Sequence, residues 1–258
     1  MKISSRFAAY LAASSVSLFA SAGQAQPEPT ASPAPSAKVE SSPTLTPMAT
    51  AAATRTPSKL LYKPPAGAGN IPTRVSGGAR GGGSDASLLA LVPDHAALTT
   101  HAQPSLFWFQ SKPAKVKLEL TLIEPGKAKP LLALKAEQAS KSGIRRIKLE
   151  SYKVELQPDV PYEWVVAIVP DAANRSMDVI AKGTIKRIAP PAGLTKDVEN
   201  LDPLDRAAAY AEAGIWYDAL ESISNAVDAH PGDASIRAQR ASLLKQVGLP
   251  EAAAAYKK

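Results

Sequence analysis

Leu156-Gln157-Pro158-Asp159-Val160-Pro161-Tyr162-Glu163-Trp164-Val165-Val166-Ala167-Ile168-Val169 decides the fold of this 258-residue chain. Two prolines flanking an aspartate make a turn, and a tyrosine then opens a run that is apolar on both faces apart from Glu163. A β-branched and aromatic run of this length, bounded by turn residues, reads as a central strand covered on both sides. It sets the type of the region around it.

Outward from that strand, short apolar stretches recur between Pro, Gly, Asn and Asp. They are Leu88–Val92, Ser105–Gln110, Val116–Ile123, Leu131–Ala136, Ile144–Leu149, Tyr152–Leu156 and Met177–Ile188. Val116, Leu118, Leu120 and Leu122 alternate with Lys117, Glu119 and Thr121, which marks a strand with one buried face. Seven or eight short strands without an intervening helical period predict an antiparallel β-sandwich over 85–190. A tyrosine just after a turn, at the start of a core strand, is used by immunoglobulin-like domains, its hydroxyl bonding back to the turn. Trp164 and Trp108 are then expected in the core.

Upstream the composition changes. Residues 26–84 are rich in Pro, Ala and Gly and poor in aromatics, so they bury too little apolar area to offset the entropy of ordering and read as a disordered linker. Within it, Arg74 to Gly83 is Gly-rich, but it lacks the preceding strand and the following Lys-Ser/Thr that a phosphate loop requires. Residues 1–25 have the layout of a cleaved secretory signal. Lys2 and Arg6 precede an apolar run from Phe7 to Ala20, and Gly23 and Ala25 sit at −3 and −1 of a cut before Gln26. The apolar run is too short to span a bilayer. Export to the bacterial periplasm, or to the surface, is the expectation. Loss of the signal takes the net charge of +7 to +5, with the surplus in the middle of the chain.

Downstream, Asp202-Pro203-Leu204-Asp205 is a helix start, with Asp as N-cap, Pro at the first helical position and an acid in the first turn. Tyr210, Gly214, Ala219, Leu220, Ile223, Ala226 and Pro231 fall at the offsets of a tetratricopeptide repeat. Leu244, Gly248 and Ala253 follow at the 34-residue period. A tetratricopeptide-like segment of about three helices is expected over 202–258. The fold class is thus α+β.

Chemistry is harder to find. The chain has no Cys, which removes disulfides, thiol nucleophiles, thiolate metal sites, iron–sulfur clusters and lipoprotein anchoring. His95, His101 and His230 lack the spacing of a metal site and read as surface positions. No nucleophile elbow or zinc-protease motif is present. No catalytic residue, metal or cofactor is expected. The densest basic group is Arg145-Arg146-Ile147-Lys148 beside Lys112, Lys115 and Lys117, a possible surface for anionic polysaccharide. The candidate interaction residues are Lys117, Arg146 and Lys148 on the strands and Tyr210, Trp216 and Tyr217 on the helical tail.

Several of these stretches also resemble, in order, a bacterial family catalogued as domain of unknown function 928. They are Gly77-Gly78-Ala79-Arg80-Gly81, Leu89-Ala90-Leu91-Val92-Pro93, Pro104-Ser105-Leu106-Phe107-Trp108-Phe109, Tyr162-Glu163-Trp164, Asp171 with Arg175-Ser176, Gly183-Thr184-Ile185-Lys186-Arg187, and Tyr210 through Leu220. Where that family often has Cys-Asp-Pro and Gly-Trp-Ile, this chain has Pro170-Asp171-Ala172 and Gly183-Thr184-Ile185. The resemblance implies the architecture and an envelope location, and no catalytic residue. The expected function is a non-enzymatic interaction or scaffold module with a protein partner in the envelope and no nucleic acid. The alternatives are a binder of anionic cell-wall or surface polysaccharide through the basic strands and, third, a hydrolase with an unidentified acidic site.

Overall fold

A computed structural model describes residues 60–66, 74–78, 86–113, 117–136, 141–194 and 197–255. The signal reading, most of the linker reading and Lys115 lie outside them. Among the described residues the strands are β1 (Ser76–Gly78), β2 (Ser87–Ala90), β3 (Ala97–Thr99), β4 (Ser105–Gln110), β5 (Lys117–Ile123), β6 (Leu132–Ala136), β7 (Gly143–Lys148), β8 (Pro161–Val169) and β9 (Val179–Arg187). The helices are α1 (Pro203–Glu212), α2 (Trp216–Ala229), α3 (Ala234–Gln246) and α4 (Pro250–Ala254).

The central strand behaves as its composition requires. β8 lies inside a sheet of order β3-β9-β8-β5-β6, and Tyr162, Trp164, Val166 and Ile168 are buried on one face. The Tyr162 hydroxyl accepts from the Gln157 N–H at 3.3 Å, so it does reach back to the turn. A second sheet runs β1-β2-β4-β7. Every residue of β4 is buried, Phe107, Trp108 and Phe109 included. The sheets are joined at one corner, where Val75 and Lys182 exchange backbone hydrogen bonds of 3.1 and 2.9 Å.

Four sequence expectations need correction. Tyr152–Leu156 is not a strand: Leu149–Tyr152 is a 3-10 turn, Lys153 is left-handed (φ 53°), and Val154 and Leu156 enter the core singly. The pairing is not wholly antiparallel, since β3 runs parallel to β9. The linker drawn over 26–84 ends too late, because Leu60 and Tyr62 are buried and Ser76–Gly78 pairs with β2. The tail has four helices rather than about three, because after the left-handed Gly248 (φ 73°) Pro250 starts another turn.

The helices begin where their caps dictate. The Asp202 side chain accepts from the Leu204 N–H at 3.0 Å, and Pro203 takes the first position of α1. Gly214 turns α1 into α2 at φ +77°, and any Cβ there would stand 2.9 Å from the Lys63 carbonyl oxygen. Only glycine satisfies both demands. α2 is apolar round much of its circumference, as a helix enclosed by protein must be. It packs on α1, on β3 of one sheet and on β4 of the other. Trp216 donates to the Leu91 carbonyl at 2.7 Å. Tyr217 accepts from Trp164 Nε1 at 2.8 Å and donates to the Thr184 carbonyl at 3.1 Å. The Trp164 ring lies over Gly183, so close that an added Cβ would meet it at 2.9 Å. One apolar cluster therefore runs from Leu60 through both sheets to Ala253.

Candidate functional site

Asp218 is an acid on the buried flank of α2, 1% exposed. Such a group must be met by donors, and the chain following β3 provides them. Thr99 Oγ1 lies 2.5 Å from Asp218 Oδ1, while the Thr100 N–H (2.8 Å) and Oγ1 (2.5 Å) reach Oδ2. His101 follows directly, its N–H donating to Thr99 Oγ1 at 3.1 Å. Its Nδ1 stands 3.8 Å from Asp218 Oδ1, and its Nε2 lies 3.2 Å from Glu199 Oε1.

Glu199 comes from a 3-10 turn, Val198–Asn200, just ahead of α1. It accepts from the Tyr210 hydroxyl, and Arg206 approaches its other oxygen at 3.5 Å. The His101 ring meets that of Tyr210 edge-on, with centroids 6.0 Å apart. Burial pulls the His101 pKa down, but Asp218, Glu199 and Glu221 outweigh it and leave it raised. Burial pushes the Asp218 carboxyl up, against His101 and the threonine donors. Burial also raises Tyr210, helped by its bond to Glu199. His101 thus has a carboxylate beside each ring nitrogen, an arrangement that holds a proton rather than passing it on.

Two open cavities share Thr100, His101 and Glu199. One, of about 580 Å³, is polar and acidic, with Gln103, Glu150, Glu199, Arg206 and Glu221 in its wall. Glu221 is fixed there by Ser105, whose hydroxyl donates to it at 2.7 Å. The other, of about 520 Å³, is walled by Pro190, Pro191, Leu194, Val198 and Tyr210. Together they form a two-lobed groove, one lobe apolar and the other acidic, with His101 at the junction.

The residues singled out from sequence fall elsewhere. Lys117 begins β5 in one sheet, and Arg146 and Lys148 lie on β7 in the other, so the three do not share a sheet. Arg146 is tied down by Asn225 and Asp228 at 2.6 and 3.0 Å. Tyr210, Trp216 and Tyr217 are buried. As interaction residues these aromatics require correction, because apolar burial has used them to fasten the helices to the sheets. Of the three, Tyr210 also lines the groove.

The His101 network escaped the sequence reading, which left His101 on the surface. Its partners stand 98 and 117 positions further along the chain, so no local spacing joins them. One signal was present: Asp218 interrupts the apolar text Ile215-Trp216-Tyr217 and Ala219-Leu220. Among the described residues no cluster of three or more His, Asp or Glu side chains is arranged to hold a metal ion. No helix among them is long and apolar enough to cross a membrane.

The family described as Domain of Unknown Function (DUF928) matches residues 75–256, most of the chain and nearly all of its described part, and the chain belongs to that family. No curated protein matches it.

Proposed function

We propose that this DUF928 protein is an exported bacterial envelope protein that works as a non-enzymatic interaction module, its sheets immunoglobulin-like and its tail tetratricopeptide-like. The two-lobed groove around His101 carries this reading. An apolar lobe beside an acidic one suits an extended segment of a partner protein, with an apolar residue next to Lys or Arg. Such grooves take a side chain by burial and choose among partners by charge. The doubly occupied nitrogens of His101 favour binding over proton transfer. The glycines of the tail, Gly214 and Gly248, share the left-handed conformation, which supports the repeat reading. The N-terminal charge and apolar pattern supports export.

A displayed peptide library screened against the full-length chain tests the groove. Peptides pairing an apolar residue with Lys or Arg are expected to be enriched, and Glu150→Lys and Leu194→Asp should each weaken them at least tenfold. Affinities that ignore both substitutions would overturn the reading. N-terminal sequencing of the protein from the producing cell tests export, with a start near Gln26 expected.

A further inference from the structure

The His101 imidazole belongs to both lobes of the groove, and 38% of its side chain is exposed. Titratable and charged groups face it from each element packed around it. α2 presents Asp218, with Oδ1 3.8 Å from His101 Nδ1, and Glu221 in the wall of the acidic lobe. The 3-10 turn ahead of α1 presents Glu199, with Oε1 3.2 Å from His101 Nε2. α1 adds the Tyr210 ring and Arg206, and the 3-10 turn Leu149–Tyr152 adds Glu150 to the same wall. Among the described residues, four acids and one arginine thus surround a single imidazole.

Glu199 is the carboxylate with two claimants. It lines both lobes, and more than half of its side chain is exposed. Arg206 stands 3.5 Å from its second oxygen. A Lys or Arg side chain entering the acidic lobe therefore meets the same carboxylate that faces the imidazole. Asp218 is out of a visitor's reach, being 1% exposed and met by three donors from the chain. A like charge brought close disfavours the charged form of a titrating group. A visiting cation therefore loosens the proton on His101, and by linkage the proton loosens the cation by the same factor.

Building on the reading of this groove as the seat of a partner segment, we infer that the seat is controlled by protons. A proton on His101 and a Lys or Arg side chain in the acidic lobe exclude one another, so acid releases the partner. The sign follows from the charges. Burial lowers the His101 pKa, but Asp218, Glu199 and Glu221 raise it by more, so near pH 6 the ring is an imidazolium that offsets the acids of the lobe. Once pH has risen through the folded value, that negative charge is left to the visitor. Burial pushes Glu199 up, but its bonds to Tyr210 and His101 outweigh it and leave the carboxyl lowered, so it stays ionised at both ends of this range. The apolar lobe carries no group that titrates there apart from His101 itself.

NMR titration of the full-length chain with acetyl-Leu-Arg-amide, at pH 6 and at pH 9 and at low ionic strength, tests it. The guanidinium keeps its charge throughout, and low salt keeps the contact unscreened. The peptide is expected to bind about tenfold tighter at pH 9, and saturating peptide should move the His101 ring titration to lower pH. Acetyl-Leu-Gln-amide should bind more weakly and equally at both values, and His101→Gln should remove the pH dependence of the arginine peptide. Equal or tighter binding of acetyl-Leu-Arg-amide at pH 6 overturns the inference while the groove keeps its role. A pH dependence that survives His101→Gln overturns it too, by assigning the effect to Asp218. If His101→Gln does not fold, the ring titration of the wild type decides, and a midpoint unmoved by the peptide overturns the inference. Absence of binding at both values overturns the groove reading and this inference together.

Discussion

Helix α2 meets a buried acid near its start and a buried base near its end, and the protein treats them differently. Asp218 is surrounded: three donors from Thr99 and Thr100 converge on its two oxygens, and His101 waits behind. Arg240 is buried near the largely exposed Asp228 carboxylate and against the like charge of Arg146, and the Ser224 hydroxyl, in the wall of the small cavity they share, has no hydrogen-bond partner. Burial depth is similar, so depth does not set how a charge is held. The neighbours do: the acid is met by donors on both oxygens, whereas the base has a like charge facing it.

Four measurements put that contrast to the test. Asp218→Ala strands the threonine donors and unties α2 from β3, so urea unfolding should show a loss of about 3–5 kcal/mol. A loss below about 1 kcal/mol, the scale of one ordinary hydrogen bond, would mean that Asp218 is not the anchor. Tyr217→Phe leaves the Trp164 N–H without its acceptor in the core, with an expected cost of about 1–3 kcal/mol by the same method.

The third is a pH profile. His101 has its folded pKa above its unfolded value, so its contribution is full below about pH 6.5 and fades as pH rises through the folded value. The stability gap between wild type and His101→Gln should therefore narrow as pH rises, and a gap that stays level from pH 5 to 9 would remove the ion pairs from the account. Last, Arg240→Met should leave stability within about 1 kcal/mol of wild type or above it, since a buried cation is exchanged for an apolar side chain. A cost matching that of Asp218→Ala would erase the difference between the two ends of the helix.

The sequence showed the long strands and the helix start clearly, because each carries its own signal. Val165 to Val169 is apolar without a break, β5 alternates, and Asp202-Pro203 caps a helix by local chemistry alone. β3 was missed since three residues, Ala97 to Thr99, hold no period, and their partner Ile185–Arg187 lies far along the chain. Ser76–Gly78 was missed because glycine has little strand propensity and tertiary pairing overrode it. Val154 and Leu156 misled in the other direction. Both are apolar because they are buried, yet they stand in a segment whose backbone turns at Lys153. The side-chain clusters, the His101 site included, were the least legible. Arg146 was noticed for its charge, but Arg240 and Ser224 belong to other helices, and only packing brings them to one cavity.

The segment ahead of β1 has a consequence for the order of events when the chain is made. Tyr62 N–H donates to Gln246 Oε1 at 2.8 Å, and Gln246 returns a bond to the Leu60 carbonyl at 2.9 Å, across 186 positions. Lys63 N–H reaches the Ala211 carbonyl at 3.0 Å. Arg74 spans from the Val92 carbonyl to the Val247 carbonyl at 3.0 and 2.9 Å. The first of the described residues thus find their seats on some of the last. A growing chain cannot finish its tertiary structure until α3 has emerged, and contacts so remote in sequence close slowly. Until the final helices appear, the polypeptide stays threadable.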